Sequence, residues 1–116
     1  MKLDGLKLLN YRNISNLNIN PCSEINIIYG ENAQGKTNIL EAIWMLSGSK
    51  SFRGAKDCEL LKFGSDKACI ESEFMAQGRE QTIKIDIESN RTAMLNGVNI
   101  NPISLLCENF QAIVFS

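Results

Sequence analysis

The first half of the chain shows two different patterns of apolar and polar residues, one with the period of a β-strand and one with the period of an α-helix. Short alternating runs at residues 6–8 and 17–19 and a nearly continuous apolar run at residues 25–29 predict strands that are separated by turns. Beyond Gly35 the period becomes helical, and Gly48 closes the predicted helix. The apolar positions on one face of that helix are Ile39, Leu40, Ile43, Trp44 and Leu46. The pattern therefore predicts a strand, a loop flanked by glycines and a helix.

From Ala68 onward the chain alternates with a period of two, which is typical of strands with one buried and one wet face. Residues 77–80 are predicted to form one turn, and Asn96-Gly97 is typical of a tight type I′ hairpin. We therefore interpret residues 66–101 as an antiparallel β meander. Pro102 is expected to start a short helix that runs through Leu106, and residues 112–115 are expected to form another buried strand.

Composition is that of a folded domain of ordinary size. The chain has 116 residues, 44% hydrophobic and 22% charged, with a net charge of −1, which is too apolar for a disordered chain. Near-neutral charge argues against nucleic-acid binding by the whole surface but is compatible with a local basic patch. The absence of a long apolar run or a signal-peptide pattern predicts a cytoplasmic protein that does not engage a membrane.

Cysteine and histidine usage limits the possible chemistry. Four cysteines lie far apart, at positions 22, 58, 69 and 107, and the sequence contains no histidine. This excludes the usual zinc patterns and the histidine general base, so any chemistry is expected to come from a bound cofactor. We expect the cysteines to be reduced core residues rather than a disulfide framework.

The loop between the predicted strand and helix fits the P-loop (Walker A) pattern G-x-x-x-x-G-K-[ST]. Its residues are Gly30, Glu31, Asn32, Ala33, Gln34, Gly35, Lys36 and Thr37. Gly30 and Gly35 allow backbone N–H groups to surround phosphates, Lys36 is expected between the β- and γ-phosphates, and the Thr37 hydroxyl is expected to coordinate Mg²⁺. The predicted ligand is therefore a nucleoside triphosphate.

ATP hydrolysis would require further groups. A P-loop ATPase needs a second acid at the end of a buried strand and a residue that orients water. Asp86 is the only Asp that closes an Ile-rich run, but Lys84 marks that strand as half-exposed. The residues 46–49 begin like an ABC-type signature, yet a helix stop explains them better. The sequence therefore assigns no catalytic residue.

Three segments together resemble the RecF family of bacterial DNA replication and repair proteins. They are residues 6–13, which read LKLLNYRN, the strand, loop and helix at 25–43, and the basic stretch at 49–54. The resemblance implies an α/β (α+β) P-loop NTPase fold, an ABC-ATPase-like first lobe with a mixed sheet around the P-loop helix and an antiparallel β meander. Residues 1–116 would be a partial N-terminal lobe, with a P-loop core at 1–65, the meander at 66–101 and the start of the next core segment at 102–116.

The resemblance also implies a function in recombinational repair, the SOS response and maintenance of replication forks. Family members bind ATP and Mg²⁺, act at gapped or junction DNA, help recombinase loading with recombination mediator proteins and form ATP-dependent homodimers. Residues 30–37 would bind the nucleotide, with Asn38, Arg12 and Asn13 close to it. Because the second acid and the signature motif fall outside this chain, we expect it to bind ATP without efficient hydrolysis, and the complete protein to be a weak ATPase.

Lys50, Arg53 and Lys56 form a basic segment with no acid before Asp57. We hypothesise that this segment is a DNA-facing edge, the alternative being a solvated loop. Two other classes stay open at the level of sequence: an SMC-type chromosome-structure ATPase head and, less favoured, the nucleotide-binding subunit of a membrane transporter.

Overall fold

The computed structural model describes residues 2–19, 33–108 and 110. In chain order the elements within these ranges are β1 (Lys2–Tyr11), β2 (Ile14–Ile19), α1 (Ala33–Met45), a 3₁₀ helix (Asp57–Leu60), β3 (Ala68–Ala76), β4 (Arg79–Ile87), β5 (Arg91–Leu95), β6 (Val98–Ile100) and a second 3₁₀ helix (Ile103–Glu108). The predicted strands at 25–29 and 112–115 lie outside the described residues.

The described strands form one antiparallel sheet in the order β2-β1-β3-β4-β5-β6. The predicted meander is present as β3 to β6. The sequence pattern did not predict that β1 pairs with both β2 and β3, with Leu8 opposite Ile70 in the second pairing. This arrangement places the turn between β1 and β2 at the end of a central strand, close to α1.

Two tight hairpins connect β3 with β4 and β5 with β6. Asn96 and Gly97 have φ values of 53° and 82°, as a type I′ turn requires. Gln77 and Gly78 also have positive φ values, 55° and 77°. This turn is shorter than predicted, because Arg79 already pairs with Ala76 at the start of β4.

The hydrophobic core lies between one face of the sheet and the C-terminal half of α1. Alternate residues of the central strands face inward and are fully buried: Leu6, Leu8, Ile70, Phe74, Ile83, Ile85 and Ile87. Ala42, Met45 and Leu46 cover them from the helix side. Phe110 packs edge-on against Phe74 with ring centroids 5.1 Å apart. The apolar residues that alternate along the strands and those on one face of α1 therefore pack into one core.

Two local predictions need correction. The expected helix after Pro102 is a 3₁₀ helix over Ile103–Glu108 rather than an α-helix. The expectation that the cysteines are core residues is wrong for Cys58 and Cys107, which are exposed, while Cys69 is half-buried. Cys58 and Cys107 lie on the two short 3₁₀ helices, whose periodicity is too weak to predict a buried face. Cys22 lies outside the described residues.

Within the described ranges, α1 and the two 3₁₀ helices are too short to cross a membrane.

Gly48 ends the turn after α1 in a position where only glycine fits. Its φ is +87°, and a Cβ there would lie 2.3 Å from the carbonyl oxygen of Ile103 in the second 3₁₀ helix. Gly78 has a similar φ of +77°, but a Cβ there would meet nothing within 4 Å. A side chain at either position would strain the backbone, but only at Gly48 would it also clash with a neighbouring segment.

We predict that Gly48→Ala lowers the free energy of unfolding by about 3 kcal/mol, because left-handed strain and overpacking add. Gly78→Ala, the matched control, should cost about 1 kcal/mol from strain alone. Urea unfolding followed by circular dichroism measures both values. Equal losses would show that the contact between Gly48 and the second 3₁₀ helix is unimportant.

Candidate functional site

The P-loop residues are divided between the N-terminal end of α1 and the chain before it. Gly30, Glu31 and Asn32 lie outside the described residues. The backbone of residues 33–36, which are Ala33, Gln34, Gly35 and Lys36, forms the start of α1, so the helix begins three residues earlier than predicted. Thr37 is half-buried, and Asn38 is buried with 4% exposure. The described part of the loop is therefore already helical.

The centre of the site is Glu41, one turn beyond Thr37 in α1 and 0% exposed. Its Oε1 accepts hydrogen bonds from the Tyr11 hydroxyl at 2.5 Å and from Arg12 Nε at 2.7 Å. Arg12 Nη2 donates to Oε2 at 2.9 Å, so this pair is bidentate. The turn after β1 is thus attached to α1 through one carboxylate.

The segment after α1 attaches to the same carboxylate. The Ser51 hydroxyl and Arg53 Nε both donate to Glu41 Oε2, the latter at 3.1 Å. Arg53 Nη2 donates to Oε1 at 2.8 Å. Two guanidinium groups, from opposite sides in sequence, therefore share one buried acid.

Asn38 adds a second connection between the same three segments. Its Nδ2 donates to Asn13 Oδ1 at 2.8 Å, and its Oδ1 accepts from Arg53 Nη2 at 2.7 Å. Asn38 and Glu41 are three residues apart and so lie on one face of α1. We call the seven connected residues the Glu41 cluster: Tyr11, Arg12, Asn13, Asn38, Glu41, Ser51 and Arg53.

Backbone contacts hold the turn between β1 and β2 in an uncommon conformation. Asn10 and Arg12 have φ values of 50° and 52°, in the left-handed region. The Arg12 N–H donates to the Leu60 carbonyl at 2.8 Å, and the Lys62 N–H donates to the Asn10 carbonyl at 2.8 Å. These bonds, together with the buried Tyr11 side chain, retain a backbone shape that aims Arg12 at Glu41.

The cluster keeps Glu41 ionised despite its burial. Burial alone would raise the pKa of Glu41, but hydrogen bonds from Arg12, Arg53, Ser51 and Tyr11 outweigh it and lower the pKa to about 2. Burial and the bond to Glu41 raise the pKa of Tyr11, so the phenol stays protonated. The hydrogen bond to Glu41 raises the pKa of Arg12. The cluster therefore contains two guanidinium cations and one carboxylate.

The basic segment is divided in the structure. Lys50 and Lys56 are exposed, whereas the Arg53 guanidinium lies in the Glu41 cluster. Arg91, the first residue of β5, attaches the two ends of this segment to the sheet. Its Nε lies 3.2 Å from Asp57 Oδ1, and its Nη1 donates to the Ser49 carbonyl at 2.9 Å.

Asp86 lies in β4, where its Oδ1 is 3.9 Å from Lys67 Nζ. Its neighbours Ile85 and Ile87 face the core, so Asp86 lies on the other face of the sheet.

The sequence analysis placed Arg12, Asn13 and Asn38 near the nucleotide but assigned no role to Glu41, Tyr11 or Ser51. The available signal was Glu41 itself, an acid between the apolar residues Leu40 and Ala42 in the middle of an amphipathic helix. An acid at such a position is buried only when it is paired.

A strand-rich lobe whose helix begins within a P-loop sequence pattern is typical of the P-loop NTPase fold. The family described as AAA domain matches residues 5–111, and the chain belongs to this family.

Comparison with curated relatives confirms the resemblance to RecF. The chain is 41% identical over 105 residues to the DNA replication and repair protein RecF of Lachnospira eligens, covering 90% of this chain and 28% of the relative. It is 37% identical over 117 residues to RecF of Clostridioides difficile strain 630, covering 100% of this chain and 32% of the relative. The chain thus spans about a third of the length of the curated relatives it matches.

Solved structures confirm the predicted P-loop NTPase fold. A structure described as the recombination mediator protein RecF-ATP in the RecFOR pathway matches with a TM-score of 0.89 and 33% identity, over 98% of this chain and 32% of that one. The SMC head domain from Thermotoga maritima matches with a TM-score of 0.70 and 23% identity, over 87% of this chain and 39% of that one. The second likeness concerns the fold alone.

We predict that Glu41→Gln removes an acid-dependent part of the stability. Because the pKa of folded Glu41 is about 2, against 4.5 ordinarily, its contribution is complete above about pH 4.5 and is lost as the pH falls toward 2. That contribution corresponds to about 3 kcal/mol. Denaturant unfolding at several pH values should show the variant far less stable than wild type at pH 7 and closer to it at acidic pH. Glu80→Gln, at an exposed site, should follow wild type, and a gap for Glu41→Gln that does not change with pH would contradict the prediction.

Proposed function

We propose that this chain binds ATP with Mg²⁺ through residues 30–37, as the nucleotide-binding lobe of a RecF-type DNA repair protein. The observation that carries the proposal is the P-loop pattern at the start of α1, with the Arg12 and Asn13 turn fixed to the same helix by Glu41 and Asn38. The names and structures of the relatives, one of them a RecF-ATP complex, support the same ligand.

Each residue of the loop has a physical role in this proposal. The α1 N-terminus directs backbone N–H groups and partial positive charge toward the phosphates. Lys36 pairs with the β- and γ-phosphates, and the Thr37 hydroxyl, a hard oxygen donor, suits Mg²⁺. The bound metal would neutralise part of the phosphate charge. Arg12 and Asn13 lie beside the nucleotide.

The proposal separates binding from turnover. Hydrolysis requires a second acid, which the family resemblance assigns, together with the signature motif, to segments outside this chain. We therefore expect the chain to bind ATP and to hydrolyse it very slowly.

We predict that Lys36→Ala raises the dissociation constant for ATP-Mg²⁺ at least tenfold, because it removes a cation from the triphosphate. Isothermal titration calorimetry measures the constant, and Lys62→Ala, which removes a lysine elsewhere, serves as the control with wild-type affinity. Unaltered binding in Lys36→Ala would refute the P-loop assignment. Measurable turnover by the chain that Lys36→Ala abolishes would refute the expectation of slow hydrolysis.

The biological role we infer is ATP-dependent DNA repair. We propose that the protein acts at gapped or junction DNA in the cytoplasm, with recombination mediator proteins, and helps recombinase loading as an ATP-dependent homodimer. The support is the relatives' description as DNA replication and repair proteins and the RecFOR pathway in the matched structure's description.

A DNA-contacting edge at the basic segment is part of this proposal. Lys50 and Lys56 are exposed and so are available to phosphates of the duplex backbone. Arg53 belonged to the same hypothesis, but its guanidinium contacts Glu41 and Asn38. The lysines are therefore the residues with which to test DNA binding.

We predict that Lys50→Ala combined with Lys56→Ala weakens duplex DNA binding uniformly across sequences. The slope of log affinity against log salt should become shallower by up to about 2, since each lost phosphate contact contributes about 0.9. Fluorescence anisotropy at several salt concentrations measures the slope. Arg79→Ala combined with Lys84→Ala, at exposed positions of β4, provides a matched loss of charge. An equal change in both double variants would remove the DNA-facing assignment.

A further inference from the structure

We propose that the solvent-side face of the sheet carries a docking groove for an acidic peptide segment of a partner protein, in which one apolar side chain is flanked by carboxylates. This face lies on the opposite side of the sheet from α1 and the Glu41 cluster. The inference goes beyond the proposed function and does not depend on nucleotide binding.

The groove lies over the first four strands in the order of the sheet. Its lining residues come from β2, β1, β3 and β4 and from Lys67, which directly precedes β3. Its volume is about 400 Å³, within the range of about 300–1,000 Å³ that is usual for binding sites. The groove is therefore large enough to hold several side chains of a peptide.

The floor of the groove is apolar at its centre. Leu9 of β1 and Cys69 of β3 are paired across the two strands, and Leu9 is 50% exposed. Burial and the charge of Asp86 raise the pKa of the Cys69 thiol to about 11, so the thiol stays neutral and acts as a small apolar group. An apolar side chain of a ligand would remove this exposed surface from water.

Three lysines surround the apolar floor. Strand pairing places Lys7 and Lys84 on the two sides of Glu71, and both lysines are exposed. Because neighbouring strands are about 4.8 Å apart, the backbones of the two lysines are about 10 Å apart. Lys67 lines the other end of the groove, and its side chain is 55% exposed. The ammonium groups can therefore approach a ligand from both ends.

The two acids of the groove are less exposed than the lysines. Glu71 is half-buried between its lysine neighbours. The Asp86 side chain is 25% exposed, and its Oδ1 lies 3.9 Å from Lys67 Nζ. Three cations and two acids leave a surplus of one positive charge, and an approaching ligand meets the lysines first. An anionic partner is therefore favoured.

The arrangement of charge and apolar surface fits a peptide better than nucleic acid. In an extended peptide, every second side chain points the same way, at a spacing of about 6.7 Å. The pattern acid, any residue, apolar, any residue, acid thus places the apolar side chain on Leu9 and the carboxylates toward the lysines. A DNA backbone offers no apolar side chain, and its phosphates would meet Glu71 and Asp86 between the lysines.

The first test uses wild-type protein and labelled peptides. A fluorescein-labelled peptide with the core Asp-Ser-Leu-Ser-Asp should bind saturably with a dissociation constant below about 1 mM, measured by fluorescence anisotropy at low salt. Replacing the leucine of the peptide with serine should weaken binding about fivefold. Replacing both aspartates with lysine should abolish it. No saturable binding of the first peptide, or equal affinity of the acidic and basic peptides, overturns the proposal.

The second test locates the site with charge reversals on one strand. Lys84→Glu should weaken binding of the leucine peptide about fivefold, because an attraction becomes a repulsion. Arg79→Glu is the matched control, since it makes the same charge change at an exposed position of β4 outside the groove lining. Its affinity should stay within twofold of wild type, and equal losses in both variants would show that only net charge matters.

Leu9→Ser tests the apolar contact separately from charge. This variant should lose about fivefold in affinity for the leucine peptide and bind the serine peptide like wild type, because the two changes remove the same contact. Equal losses for both peptides would overturn the assignment of Leu9 to the docking floor. The substituted positions are exposed, and if a variant does not fold, the peptide series on wild-type protein decides.

Duplex DNA distinguishes the two classes of anionic partner and separates this inference from the proposed function. DNA added as a competitor should leave the peptide bound. If DNA displaces the peptide and Lys84→Glu also weakens DNA binding, the groove is a nucleic-acid surface and the proposal is overturned. Failure of wild type to bind ATP would refute the proposed function while peptide binding still supports the groove.

Discussion

The structure depends on one ionised carboxylate that is removed from water. Burying a carboxylate without partners costs several kcal/mol even after the protein relaxes, so Glu41 is compatible with the fold only when its partners arrive together. Those partners come from β1, the following turn and the segment after α1. The charge therefore determines how β1 with its turn, α1 and the segment after α1 meet, and the loss of either arginine leaves the carboxylate poorly compensated.

Local periodicity predicted the elements that depend on neighbours in sequence. The Ile83, Ile85 and Ile87 alternation and the Asn96-Gly97 turn are local signals, and they predicted β4 and the last hairpin correctly. The place of β1 between β2 and β3 was missed, since strand pairing across some sixty residues leaves no short-range pattern. The predicted start of α1 was three residues too late, because the P-loop residues continue directly into the first turn of the helix.

The sequence predicted the phosphate-binding motif of the candidate site but not the side chains that hold its neighbouring residues in place. The phosphate-binding pattern is contiguous, whereas Tyr11 and Glu41 are thirty positions apart and meet only in the folded chain. The same distinction applies to charge. The net charge of −1 says nothing about the surplus positive charge beside α1, because that surplus arises from the relative burial of Glu41 and its two arginines.

The segment after α1 combines anchored and exposed cations within a few residues. Ser51 and Arg53 attach it to Glu41, while Lys50 and Lys56 face solvent. Arg91 fixes its far end through Asp57. Because both attachments hold the backbone, the lysines keep a defined position relative to the P-loop helix.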